Sequence, residues 1–153
     1  MKIMAVDLGD ARTGLAVCDR TEFLASPIGV LHDRVLESIL NKVAIATTEY
    51  DVKMVVVGHP LNMNGSAGDR AKKCEEFARQ LQERLEIPVV LWDERSTTVS
   101  AHNILSENAV YGKKRRDTVD EVAAAIILEG FMAWRRNHPG EPAPGRLSDP
   151  AGL

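Results

Sequence analysis

The sequence lacks the features that mark several classes of protein. Its only two cysteines, Cys18 and Cys74, have no metal-ligand spacing and occupy positions where a small apolar side chain would pack. No apolar run is as long as a transmembrane helix, and the chain begins directly with a strand pattern instead of a signal peptide. We therefore expect reduced cysteines and a cytoplasmic protein without a membrane partner.

The chain also lacks an excess of positive charge. Its formal net charge of -3 argues against coating nucleic acid by bulk electrostatics, so a polyanion site needs a local cluster of Lys and Arg. The one dense cluster is the run Lys113, Lys114, Arg115 and Arg116. Such runs are often only solvated segments, but in an acidic chain this one favours contact with nucleic acid.

The length of 153 residues, 44% of them hydrophobic, fits one globular domain and is too short for two substantial ones. Residues 137–153 hold four of the seven prolines, which is typical of a flexible tail. We therefore predict one domain over residues 1–136, followed by a tail over 137–153.

The N-terminal stretch predicts a hairpin that ends in an acid. An apolar run from Ile3 to Val6 is typical of a strand buried on both faces, and Asp7 and Gly9 follow it directly. After turn-forming residues up to Gly14, a second strand is expected over residues 15–18. Asp7 can either serve a functional site or simply bond its own turn, and this segment alone favours neither.

The rest of the pattern predicts an α/β fold with a five-stranded mixed sheet flanked by helices. A third strand over residues 22–31 completes an antiparallel meander, and two parallel strands alternate with helices. The remaining expected elements are a helix from Asp33 to about Glu49, a strand over 53–57, a helix opened by a Ser66 and Asp69 capping box, a strand over 88–92, a helix after Ser96, and a last helix from near Thr118.

Three acids stand where this topology brings them together. Asp7 and Glu94 follow strands that end at the same edge of the sheet, and helical periodicity angles Asp120 toward the sheet. Converging carboxylates repel one another, and a hard divalent cation such as Mg²⁺ or Mn²⁺ is the usual relief. The pattern therefore indicates a metal-dependent nuclease that needs no Ser, Cys or His nucleophile. Asp117 competes with Asp120 as the third acid, although helix register favours Asp120.

The motifs together resemble the YqgF/RuvX family over nearly the whole chain through Trp134. They are Asp7-Leu-Gly with Arg12, Gly14 and Asp19, the loop over 58–65, the segment over 93–98, and the helix over 119–128. The resemblance implies an RNase H-like fold and a nuclease that processes the 5′ end of precursor 16S ribosomal RNA. It also implies that Asp7, Glu94 and Asp120 bind metal and that Arg12 and Arg95 contact phosphate.

Three other functions remain to be weighed. A Holliday junction or other DNA endonuclease would use the same acids, and as a resolvase it should be a dimer, so monomer and homodimer both stay open. A binding module could dock on RNA or the ribosome without cutting it. An ATPase or sugar kinase of the actin-like class needs two such domains, and this chain has room for one.

Overall fold

The computed structural model describes residues 1–95 and 112–147, and for residues 112–120 it describes the backbone only. Within these ranges the chain forms one five-stranded sheet with helices on both faces. The strands are β1 (Ile3–Asp7), β2 (Arg12–Cys18), β3 (Ala25–His32), β4 (Met54–His59) and β5 (Val89–Asp93). The helices are α1 (Leu36–Glu49), α2 (Asp69–Arg84) and α3 (Gly112–Asn137).

The sheet has the strand order β3-β2-β1-β4-β5, with β1 at its centre. β1, β2 and β3 pair antiparallel, whereas β1, β4 and β5 pair parallel. The predicted mixed sheet, a meander plus two parallel strands, is confirmed. In the parallel half, Val57 pairs with Val6 on one side and with Leu91 on the other, so these three strands end at one common edge.

The central strand is buried on both faces, as predicted. Met4 and Val6 point into the core that α1 and α2 cover. Ile3 and Ala5 point to the opposite face and pack under α3. Because successive side chains alternate between the faces of a sheet, Asp7 belongs to the α3 face.

The two helices on the first face begin later than the sequence predicts. The first was expected from Asp33, whose carboxylate instead accepts hydrogen bonds from Val35 N at 3.0 Å and Ser38 Oγ at 2.5 Å ahead of α1. The predicted capping box at α2 is wrong, because the N-cap is Gly68 and no side chain caps the helix. Ser66 Oγ bonds within the preceding loop, to Asn64 Oδ1 at 2.6 Å.

Two other elements begin earlier than predicted. β2 starts at Arg12, and Gly14, expected in the turn, pairs with Asp7 inside the strand ladder. α3 starts at Gly112 instead of near Thr118, so the basic run 113–116 lies in its first turns. Lys and Arg are good helix formers, so the basic run continues the helix instead of breaking it. The helix predicted after Ser96 lies outside the described residues.

The segment after α3 returns to the sheet. Gly145 O accepts a hydrogen bond from Leu91 N, and Leu147 N donates to Val89 O, both at 2.9 Å. This pairing attaches part of the predicted tail to the edge strand β5, while the flexibility of residues 137–153 stays a prediction. None of the helices in the described ranges is long and apolar enough to cross a bilayer.

Candidate active site

Asp7 is the buried acid at the end of the central strand. Its backbone pairs with Gly14 of β2, and the residue is only 8% exposed. Arg70 of α2 reaches it across the edge of the sheet, with Nη2 at 3.6 Å from Asp7 Oδ1. Burying a carboxylate at a strand end costs desolvation free energy unless a positive charge compensates for it. Acids kept in such positions are typical of functional sites.

Glu94 reaches the same edge from the residue that follows β5. Its backbone N–H donates to His59 O at 3.3 Å, and its carboxyl group lies against the α-carbon of Gly58. A Cβ at position 58 would come within 2.8 Å of Glu94 Cδ and within 2.7 Å of Ile127 Cδ1. Since Val57 pairs with Val6, Gly58 and Asp7 are the next residues on neighbouring strands. The missing side chain at Gly58 thus makes the room in which Glu94 approaches Asp7.

The electrostatics of Glu94 agree with this geometry. Burial raises its pKa to about 7, and the negative charges of Asp7 and Asp93 add to the increase. The Arg70 guanidinium opposes the shift but does not cancel it. The site therefore holds two carboxylates whose joint ionisation is disfavoured unless a further positive charge enters.

Asp120 lies on α3, four residues before the fully buried Ala124. Residues spaced by four share one side of a helix, and this register is the reason for predicting Asp120 on the side of α3 that faces the sheet. The side chains of Asp117 and Asp120 lie outside the described part of the structure. Their roles, and the choice between them, stay predictions.

Two basic residues that the sequence analysis missed reach the turn that follows Asp7. Arg70 lies 3.5 Å from Leu8 O as well as near the Asp7 carboxylate, and Lys73 Nζ pairs with Asp10 Oδ1 at 3.1 Å. Both belong to the start of α2, at a spacing of three, and both reach the β1–β2 turn. That spacing on a helix beginning near the carboxyl edge of the sheet is the signal that could have revealed them.

The predicted phosphate-binding arginines are placed differently from each other. Arg95 folds onto its neighbour Asp93, with Nε at 2.8 Å from Oδ2, and its Nη1 lies 3.4 Å from Met63 O in the loop after β4. Arg12 opens β2 and pairs in register with His32 of β3. A contact of either arginine with phosphate stays a prediction, as do the contacts predicted for Lys113, Lys114, Arg115 and Arg116, whose side chains are not described.

His59 ties the loop after β4 to the neighbouring elements. Its Nε2 lies 3.1 Å from Glu75 Oε2 of α2, and its carbonyl accepts the Leu61 and Glu94 amides at 2.9 and 3.3 Å. Its backbone therefore helps to set the position of Glu94. Trp92 of β5, which pairs with the preceding residue Gly58, packs edge-on against Phe131 of α3 with ring centroids 5.4 Å apart.

The donor chemistry at this edge fits a hard divalent cation. Asp7 and Glu94 supply carboxylate oxygens, the ligands that such cations prefer. Burial and, to a smaller extent, the charge of Asp7 raise the pKa of Glu94, and a bound cation would oppose both effects. Among the side chains that the structure describes, no three His, Cys, Asp or Glu residues form a metal-binding group. A third carboxylate from α3 would have to come from the undescribed side chains.

A comparison with known protein families gives the class of protein to which this chain belongs. Residues 1–133 match the model of the RuvX family, which is described as a Holliday junction resolvase. This chain belongs to the RuvX family. The chain is therefore a nuclease, a hydrolase that acts on phosphodiester bonds of nucleic acid.

Two RuvX relatives show how far the similarity extends. A protein of Halothermothrix orenii is 39% identical over 140 residues, which cover 92% of this chain and 100% of the relative. A protein of Lachnospira eligens is 38% identical over 135 residues, covering 86% of this chain and 96% of the relative. Both carry the name "Putative pre-16S rRNA nuclease".

Solved structures give the fold of the RuvX chain. Thermus thermophilus RuvC in complex with a Holliday junction substrate aligns with a TM-score of 0.57 and 13% identity, covering 94% of this chain and 99% of RuvC. The fowlpox virus resolvase bound to Holliday junction DNA aligns with a TM-score of 0.53 and 16% identity, over 88% and 98% of the two chains. At these identities the likeness shows the RNase H-like fold and no more.

Proposed function

We propose that this chain is a Mg²⁺- or Mn²⁺-dependent nuclease that acts in processing the 5′ end of precursor 16S ribosomal RNA in the cytoplasm. One observation carries the proposal: the Glu94 carboxyl group is seated over Gly58, beside the buried Asp7, at the carboxyl edge of three parallel strands. In open α/β sheets this edge is where substrates bind. The choice of ribosomal RNA as substrate rests on the name of the relatives, "Putative pre-16S rRNA nuclease".

Asp7, Glu94 and Asp120 are the residues that would hold the metal. A bound divalent cation would polarise a phosphodiester group and lower the pKa of an attacking water. The chain itself fixes the two described carboxylates: the ladder bond to β2 holds Asp7, and His59 O with the Gly58 gap holds Glu94. Rigid strand ends of this kind keep acids within the narrow tolerance that catalysis needs.

Arg70 is placed to help bind the substrate. Its side chain is 60% exposed, while Nη2 lies 3.6 Å from Asp7 Oδ1. An arginine this exposed could bind a phosphate oxygen of the substrate through paired N–H groups. Lys73, together with Arg12 and Arg95, which are predicted to contact phosphate, would add positive charge at the same edge of the sheet.

A second candidate substrate is branched DNA, favoured by the description of the matched family as a Holliday junction resolvase. The carboxylates serve either substrate equally well, because both contain the same phosphodiester group. A resolvase should present two sites in a dimer, so the oligomeric state separates the candidates as well.

The deciding experiment compares two substrates side by side. A labelled fragment spanning the 5′ end of precursor 16S ribosomal RNA and a four-way DNA junction are incubated with the protein and Mg²⁺, Mn²⁺ or EDTA. The proposal expects metal-dependent cutting of the RNA and an intact junction. Cutting of the junction alone would establish the resolvase instead, and binding of RNA without cutting in any metal would establish a binding module.

A further inference from the structure

The turn between β2 and β3, residues 19–24, holds two apolar side chains out in solvent. Phe23 is 81% exposed and Leu24 is 61% exposed. The Asp19 carboxylate organises this turn: Oδ1 accepts the amides of Phe23 at 2.8 Å and Leu24 at 3.0 Å, while Oδ2 accepts the Thr21 hydroxyl. An exposed aromatic ring on a turn fixed by its own hydrogen bonds is preorganised for contact with a partner.

A cavity of about 650 Å³ opens beside this turn. It lies between the turn and the chain that leaves α3, and its volume is within the range of sites that hold ligands of nucleotide size. Its charged walls are formed by Glu22, Arg135, Arg136, His138, Glu141 and Arg146. Phe23 directly follows the wall residue Glu22 in the chain, so the turn that lines the cavity also carries the exposed ring.

The two α3 arginines of the cavity differ in how their charge is paired within the protein. Arg135 forms an ion pair with Glu22, with Nε at 2.6 Å from Oε1 and Nη2 at 3.2 Å from Oε2. Arg136 is exposed, and its recorded bond in the described structure is to a neutral oxygen, Glu22 O, at 3.4 Å. Its charge is therefore available to an anionic ligand.

The backbone on either side of Arg146 is fixed against β5. Gly145 has φ +74, and a Cβ there would come within 2.2 Å of Leu91 O, so only glycine lets this segment approach β5. The hydrogen bonds of Gly145 and Leu147 to β5 then fix the exposed Arg146 between them. Two arginines on separate segments thus line one cavity, whose wall includes the turn that carries Phe23.

We propose that this cavity and Phe23 form a second RNA-binding site, in which Arg136 and Arg146 bind backbone phosphates and the Phe23 ring stacks on a base. The inference rests on the proposed function for the choice of RNA as substrate. At ~1.5 Å of helix rise per residue, Arg136 lies about 24 Å along α3 from Asp120. The site therefore binds nucleotides well away from the bond that is cut.

The combination of side chains favours RNA over a protein partner. Single-stranded RNA is recognised through bases stacked on aromatic rings together with guanidinium contacts to phosphate. An apolar pocket of another protein would use Phe23 and Leu24 but would leave the arginine-lined cavity without a role. A protein partner is accordingly an outcome of the test and not part of the proposal.

The test measures RNA binding without cleavage. Fluorescence anisotropy with a labelled 16-nucleotide single-stranded RNA, in EDTA, compares the wild type with Phe23→Ala and Arg136→Gln. Arg34→Gln and Ile45→Ala are the matched controls, because both positions are exposed and lie away from the cavity. All four side chains are at the surface, so the variants are expected to fold.

The two variants should differ in kind. Phe23→Ala removes a base-stacking contact, so affinity should fall roughly tenfold, which is ~1.4 kcal/mol, with an unchanged salt dependence. Arg136→Gln should lower the slope of log K against log salt by ~0.7, as expected for one phosphate contact on a single strand. In a second readout, the emission of Phe23→Trp should be quenched when RNA is added.

Affinities equal to the controls, together with unquenched Phe23→Trp emission, would overturn the proposal. So would a Phe23→Ala variant that changes self-association or protein binding and leaves RNA affinity intact. Because the assay needs no cleavage, its result is independent of the proposed catalysis. A protein that binds RNA through Phe23 but cuts nothing would refute the nuclease proposal and keep this site.

Discussion

The carboxyl group of Glu94 lies directly over Gly58, in the space where any other residue would place its Cβ. This relationship joins two separate parts of the chain, the segment after β5 and the end of β4, and it seats Glu94 beside Asp7. The candidate active site depends on a side chain that is missing as much as on those that are present.

Replacing Gly58 by Ala should therefore damage catalysis more than folding. The new Cβ would lie 2.8 Å from Glu94 Cδ, so the acid must shift, and a misplacement of about 1 Å can cost ~100-fold in rate. Gly68→Ala is the control, since a Cβ there meets Asn62 at an ordinary 3.7 Å. Cleavage rates and melting temperatures of both variants check the prediction, and equal rates would remove the role given to Gly58.

A divalent cation should stabilise the folded protein through the same two acids. Since a ligand that binds only the native state stabilises it by mass action, Mg²⁺ at ~100 times its Kd adds about 2.7 kcal/mol, a rise in Tm of several degrees. Asp7→Asn should abolish that rise. Asp51→Asn should keep it, because Asp51 is exposed and pairs only with Lys53 in the described structure. A rise that survives Asp7→Asn would place the cation elsewhere.

Neutralising the basic run at the start of α3 should weaken RNA binding through electrostatics alone. Changing Lys113, Lys114, Arg115 and Arg116 to Gln keeps good helix formers in place while it removes four charges. If all four contact phosphate, the slope of log K against log salt should fall by about 3 for a single strand. Lys42→Gln with Lys53→Gln gives the comparison. A slope equal to that of this control pair would show that the run makes no contact.

The β2–β3 turn should lose its order at low pH. Hydrogen bonds from the Thr21 hydroxyl and from the Leu24 and Phe23 amides hold the pKa of Asp19 at about 2, below its ordinary value of 3.8. A depressed pKa means that the stabilisation is complete above about pH 4 and disappears as the pH falls toward 2. Hydrogen exchange of the Phe23 and Leu24 amides should therefore show less protection in Asp19→Asn than in the wild type at pH 6. Equal protection would contradict this account of the turn.

The sequence was sufficient for the architecture because the relevant signals are local. The apolar run before Asp7 and the alternation of strands with helices predict the central strand and the mixed sheet correctly. Element boundaries were missed where tertiary contacts override local signals. The local sequence predicts Gly14 in a turn, yet it pairs with Asp7 in the sheet. It predicts Ser66 as a helix cap, yet the Ser66 hydroxyl forms its hydrogen bond within the loop.

The candidate site was predictable in its acids but not in its surroundings. Asp7 and Glu94 follow strands, so topology alone places them at one edge. Gly58 carries no such signal, because a glycine at the end of a strand usually belongs to a turn. The signal of Arg70 is weak, because an arginine near the start of a helix is usually solvated. Their roles depend on which element lies opposite, and only the folded chain supplies that information.

The most direct measurement of the central claim is cleavage of the precursor ribosomal RNA fragment by the wild type and Asp7→Asn, each with Mg²⁺ and with EDTA. The account predicts cleavage only by the wild type with Mg²⁺. It also predicts that Asp7→Asn still binds the RNA at least as tightly, since the substitution removes a negative charge next to the phosphate. Cleavage by Asp7→Asn at the rate of the wild type, or undiminished cleavage in EDTA, would contradict it.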